Sequence, residues 1–249
     1  MEVYSPPRVN GMANALGLAS GLSLDLTELD PEDGMPWDFT KREKRDKVMD
    51  MVLGKKALLL IGSPLCTAFS QLQNWNLKKI PREKRDEIIN KGREHLKFCM
   101  LLYRIQHENG MYFLHEHPHS ATSWKMPEVE EIMGLDGVEL TKGGMCAFGM
   151  YQDTEEGRKL VMKPTGFMTN AKVLGEELSK KCNGDHSHVT FVNGRAKKAQ
   201  VYPDELCFVI ITGLLKRMKS DGRLSEGGIG MVMAEDEAHA WDDTTGEEL

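Results

Sequence analysis

The sequence predicts an α/β fold with a doubly wound, mostly parallel sheet and helices on both faces. Three observations predict it. Apolar strand candidates alternate with helical segments along the chain. One of them, Ala57–Ile61 (ALLLI), is an unbroken apolar run, as a strand buried on both faces requires. Proline-led segments after it, opening at Pro81 and Pro127, suit the first turns of helices.

The elements follow in order. Met1–Tyr4 reads as a short strand stopped by Ser5-Pro6-Pro7, and Gly11–Ala19 as a small-residue helix. Leu22–Leu26 is a second strand, and Phe39–Leu53 a helix with basic residues outward. Ala57–Ile61 is the third strand, followed by a loop and a long helix from Pro81 to about His107. Met111–His115 is a strand and Pro127–Met133 a short helix. Gly137–Met150 holds one or two strands, and Lys163–Asn170 reads as strand then turn, with Asn170 as a helix N-cap. Ala171–Cys182 is a helix, Val189–Val192 a strand, and Asp204–Lys219 a final amphipathic helix. Residues 1–222 then form a single domain, and 223–249 an acidic, disordered tail.

Composition bounds the function. At 249 residues, 40% hydrophobic and 28% charged, the chain is of globular type. No apolar run reaches the roughly 18–20 residues that span a bilayer, and the N-terminus lacks the pattern of a secretory signal, so no membrane partner is expected. The five cysteines are odd in number, widely spaced and without a CxxC. That predicts free thiols in an intracellular, reducing compartment, nucleus or cytoplasm. The net charge of -6 is concentrated in the tail, which has eight acids and no Lys or Arg after Leu224. The body is slightly basic, with clusters at Lys41–Lys47, Lys78–Arg85, Arg195–Lys198 and Lys216–Arg223. Each alone reads as a solvated helix face; several on one face would suit a polyanion.

In an open α/β sheet, ligands bind beyond the carboxyl ends of the strands. Those ends present Ser5, Pro6 and Arg8, then Asp25, then Ser63, Pro64 and Cys66, then Glu116. Asp38 and Phe39 lie before the second helix. Asp25 could simply cap a turn, Asp38 a helix, and a lone cysteine is usually a buried small hydrophobe. Cys66 instead follows a proline-containing turn, which favours exposure. His115, His117 and His119 alternate with Glu116 and Pro118, so in an extended segment the two sets point apart.

In order and type these segments resemble the cytosine-C5 methyltransferase family, in a compact and divergent form like the methyltransferase-like segments of some retroelement polyproteins. The resemblance rests on Gly62-Ser63-Pro64-Leu65-Cys66-Thr67-Ala68-Phe69-Ser70, which is similar to the family's Pro-Pro-Cys loop with its Phe-Ser pair, and on Glu116-His117-Pro118, at the place of its Glu-Asn-Val. It implies the methyltransferase (Rossmann-like) type of sheet and the cofactor S-adenosylmethionine, held by Ser5, Pro6, Asp25, Asp38, Phe39, Ser63 and Pro64. Cys66 would be the nucleophile that adds to the base, and Glu116 would stabilise the adduct. Arg8, Ser70 and Arg195 would meet the substrate, with Arg8 or Arg195 lowering the thiol's pKa. The partner implied is nucleic acid, DNA before RNA. The chain departs from the family at Leu65, in lacking the glycine-rich first loop, and in lacking a Gln-x-Arg-x-Arg. Two alternatives stand beside this reading: a degenerate nucleic-acid-binding module of a mobile-element or viral polyprotein, and a base-modifying enzyme with another cofactor.

A second constellation is Cys182, His186 and His188, a spacing that can hold zinc with a fourth ligand from Cys146 or Cys207. Its bland reading is a polar turn with histidines at the edge. Trp75 and Trp124 could stack on a base or pack in the core.

Overall fold

The structure, a computed structural model, describes residues 1–70, 79–189 and 201–224. Its main sheet has six strands: β1 (Glu2–Val3), β2 (Ser23–Leu24), β3 (Leu59–Gly62), β4 (Tyr112–Pro118), β5 (Glu139–Gly144) and β8 (Pro164–Thr169), in the order β2-β1-β3-β4-β8-β5. The first four are parallel neighbours. β8 runs antiparallel to both β4 and β5. The sheet is therefore mixed and mostly parallel. The expected alternation fails at β8 because no crossover helix precedes it. Instead the hairpin β6 (Tyr151–Thr154) and β7 (Gly157–Val161) delivers the chain there. β7 also pairs in parallel with β9 (His188–Val189), which makes a second, three-stranded sheet.

Helices cover both faces. α1 (Val9–Ala15), α5 (Lys172–Leu178) and α6 (Asp204–Ser220) pack on one side with Leu59, Ile61, Leu114 and Phe167. α2 (Arg42–Leu53) and α3 (Arg82–Glu108) pack on the other with Val3, Leu60, Phe113 and Met168. The alternation of Leu59 and Ile61 against Leu60 is what an unbroken apolar strand supplies to a two-sided core. α4 (Pro127–Met133) lies beside α3. Trp124 is core packing: it is 8% exposed and its indole nitrogen donates to the Pro118 carbonyl at 2.8 Å.

Several expectations are corrected. The second helix begins at Arg42 rather than Phe39. The Asp38 carboxylate accepts from the Thr40 amide (2.9 Å) and hydroxyl (2.7 Å), so residues 38–41 form a turn. The fifth helix stops at Leu178, short of Cys182. The next residues peel away, and the Lys180 carbonyl accepts from the Gly144 amide at 2.9 Å.

The first basic cluster is not a free cationic face. Lys44, buried, bonds Asp30 at 2.7 Å and Asp33 at 2.7 Å, and Lys47 bonds Asp30 and Glu32 at 2.7 Å. Both ammonium groups lie near the Trp37 ring, 4.9 and 5.3 Å from its centre. Burial would push the Asp30 carboxyl up, but the two lysines hold it at about 2. In the last cluster Lys216 pairs with Glu177 and Arg217 with Asp221. The Arg195–Lys198 cluster, Trp75 and the acidic tail from Ser225 lie outside the described residues. No helix among the described residues is long and apolar enough to cross a membrane.

Candidate functional site

The polar groups converge where β1, β3 and β4 end. β3 stops at Gly62, and Cys66 sits in a single 3-10 turn, Cys66–Ala68, just past it. Leu65 beside it is exposed, Pro64 is buried, and the thiol is half-buried. The turn is tied from below. His117 on β4 approaches the Pro64 carbonyl with Nε2 at 3.0 Å and Ser123 Oγ with Nδ1 at 2.7 Å. A carbonyl only accepts, so Nε2 carries the proton and the Ser123 hydroxyl donates to Nδ1. Burial pushes the His117 pKa down, which keeps this neutral tautomer.

The two sets of side chains on β4 do point apart. His115 and His117 face α3, where His115 Nδ1 meets the Tyr103 hydroxyl at 3.1 Å. Glu116, 7% exposed, points the other way and pairs with Lys163 at 3.2 Å. Lys163 precedes β8. Because β8 runs antiparallel to β4, its first residues lie at the carboxyl end of β4. Lys163 is thus a site residue that reading it as a strand entry missed. The signal for it was the direction of β8, which the sequence did not disclose. Tyr202 was missed as well: it is buried, and its hydroxyl lies 2.6 Å from Ser63 Oγ.

The charges around Cys66 oppose each other. Burial raises the thiol pKa, Glu116 raises it further, and Lys163 lowers it, with a net shift upward. The cation that bears on the thiol is therefore Lys163. Arg8 is engaged elsewhere: its guanidinium donates to the Tyr202 carbonyl, Nη2 at 2.5 Å, and pairs with Asp204 at 3.3 Å. Arg195 lies outside the described residues, and Ser70 is half-buried at the end of the cysteine loop.

The residues present do not build a cradle for S-adenosylmethionine. The buried Glu2 carboxylate accepts from the amides of Arg8 (3.3 Å), Val9 (3.0 Å) and Asn10 (2.9 Å), the donors that open α1. Pro6 and Pro7 have no amide hydrogen to offer. Ser5 Oγ donates to the Pro6 carbonyl at 2.9 Å. Asp25 is held in a turn by the Thr27 amide (3.0 Å) and hydroxyl (2.9 Å), as Asp38 is by Thr40. Phe39 is 2% exposed and packs against Tyr4 and Phe98, so it has no free face for an adenine.

The second site is more closely assembled than its sequence predicts. Cys146, Cys182, His186 and His188 bring their ligand atoms within 4.8 Å of one another, a group that could hold a metal ion. Cys182 Sγ lies 3.5 Å from Nε2 of each histidine, and those two nitrogens are 3.0 Å apart. Asp185 Oδ1 accepts from His186 Nδ1 at 2.6 Å, which turns the other ring nitrogen toward the group. The fourth member is Cys146, in the turn Met145–Phe148 after β5. Cys207 is buried in the core on α6 and takes no part. No protein-family model matches this chain, and no curated protein matches it.

Proposed function

We propose that this chain is a cytosine-directed domain of the C5-methyltransferase type that acts on nucleic acid. The observation that carries the reading is the half-exposed Cys66 on the turn closing β3, under the charges of Glu116 and Lys163. The step it supports is addition of the thiol across the C5–C6 double bond of a base lifted out of its stack. Cys66 Sγ bonds C6, the π pair moves to C5, and the thiol's proton ends on C5 through solvent. Elimination reverses each change. Glu116 would meet ring N3 and the exocyclic amine, and Lys163 would favour the thiolate. The tied carboxylates and amides favour thiol addition over methyl transfer as the activity of this chain.

The test is exchange of the cytosine C5 hydrogen for deuterium from solvent, with DNA and RNA oligonucleotides. Exchange by the wild type and none by Cys66→Ser is expected. Oligonucleotide binding without exchange would leave the degenerate binding module as the better reading. Calorimetry with S-adenosylmethionine decides transfer: binding, with a trapped adduct on a 5-fluorocytosine oligonucleotide, would extend the activity to methylation.

At the second site we propose zinc. Two thiols and two imidazoles are its common donors, and tetrahedral bonds of about 2.3 Å to sulfur and 2.0 Å to nitrogen put S and N about 3.5 Å apart. The separations found are 3.5 Å for both pairs.

A further inference from the structure

We infer that the ion held by Cys146, Cys182, His186 and His188 acts as a clamp that keeps Lys163 against Glu116. The inference rests on the zinc reading and is independent of any reaction at Cys66. The four donors come from two segments, and Lys163 lies where those segments meet. On one side, the amide of Met145, next to Cys146, donates to the Lys163 carbonyl at 3.1 Å. On the other, His188 is the register partner of Leu160 in β7, the strand that leads into Lys163. Two further bonds brace the junction. The Gly144 amide donates to the Lys180 carbonyl at 2.9 Å, and the Val161 amide to the Met150 carbonyl at 2.9 Å.

With all four positions filled by protein, such a site has no open coordination place for substrate and is structural. Its contribution is to fix β9 and the turn after β5 relative to each other. The backbone of Lys163 is held by one and approached through the register of the other. From that backbone position its ammonium lies 3.2 Å from the Glu116 carboxylate. The four ligands are therefore positioning residues for the crevice, acting through Lys163.

The experiment uses the whole chain, purified without chelator. Metal analysis should find one zinc per chain. Cys182→Ala and His188→Ala should reduce it to background, and Cys207→Ala should leave it unchanged. Cobalt should replace the zinc with the absorption of a tetrahedral thiolate site. Hydrogen–deuterium exchange is then compared in the loaded and stripped protein. Stripping should speed exchange in peptides spanning 145–150 and 157–163 by about tenfold or more, leave those of β1 and β3 unchanged, and be reversed by zinc. Cys182→His, which keeps a donor, should retain both metal and protection.

Absence of zinc from the thiol-intact wild type, or its retention in Cys182→Ala, overturns the zinc reading and with it the clamp. Bound zinc whose removal leaves 157–163 protected overturns the clamp alone. Loss of protection throughout the sheet also overturns it, since the ion would then staple the whole fold.

Discussion

Cys66 and Cys182 are both half-buried thiols, yet their surroundings differ in kind. Around Cys182 the neighbours are donors, and they converge: two imidazole nitrogens at 3.5 Å and a second thiol within reach. Around Cys66 the neighbours are charges of opposite sign, fixed to strand ends. The first arrangement gains by closing on something small and positive. In the second, burial and then Glu116 favour the protonated thiol, and Lys163 opposes them. Convergent donors thus suit the structural ion proposed above, whereas the Cys66 thiol, with a carboxylate and an ammonium bearing on it, is the one for which a reaction has been proposed.

The largest expected effect tests how tightly each site is backed. A Cβ on Gly62 would overlap the Tyr103 hydroxyl and lie 3.3 Å from Cys99 Sγ. Gly62→Ala should therefore cost about 3 kcal/mol in urea unfolding. Gly144, beside the metal group, has Cys182 N at 3.5 Å and Cys146 Sγ at 3.6 Å from its Cβ position, ordinary contacts. Gly144→Ala should cost under about 1 kcal/mol. Equal losses would mean that the two sites are equally close-packed.

Next comes the ion pair. Lys163→Met leaves the buried Glu116 carboxylate without that cation and should cost about 2 kcal/mol by the same unfolding measurement. It should also raise the pH at which Cys66 becomes alkylatable, because the lysine lowers the thiol's pKa. Glu116→Gln should move that pH the opposite way. The readout is the Cys66 peptide followed by mass spectrometry across pH. Shifts of the same sign in both variants would remove the two charges as the thiol's controls.

The smallest effect is the pH dependence of the tether beneath Cys66. Burial lowers the pKa of His117, so in acid the unfolded chain takes up its proton first. Stability should fall as pH drops below about 6.5, the ordinary histidine value. His117→Gln keeps a donor for the Pro64 carbonyl and does not titrate, so its stability should fall less over that range. An unchanged slope would assign the loss to other groups, among them His115, whose pKa burial also lowers.

Much of the fold was legible because local chemistry and tertiary packing agree. Pro81, Pro127 and Pro203 each precede or open a helix, and α3, α4 and α6 lie where the pattern put them, to within a residue or so. The pattern places the strand after Gly110 but ends it at His115: Glu116-His117-Pro118 break the apolar run, and pairing with β8 keeps them in the sheet. The β6–β7 hairpin carries no clear signal in the sequence. Its residues (YQDT and GRKLV) alternate weakly, and its pairing is what defines it.

The sites divide the same way. Cys66, Glu116, Cys182, His186 and His188 stood out by residue type, and their nearest neighbours follow from the chain around them. Lys163, Tyr202 and the choice of Cys146 over Cys207 depend on strand direction and on where the turn after β5 folds back. Asp25 and Asp38 show the reverse: both suggested a cofactor by position, and both are bonded to a threonine two residues on.

The spacing of the two metal-site cysteines also bears on how the chain folds. Between Cys146 and Cys182 lie β6, β7, β8 and α5. β8 is the strand that joins β4 to β5. An ion gripped by both ends would close that long chain loop, and part of the entropy cost of pairing β8 with β5, which ends two residues before Cys146, would then be met before the strands dock. Refolding with and without metal should then differ in rate as well as in final stability, with the docking of β8 as the step that ion binding hastens.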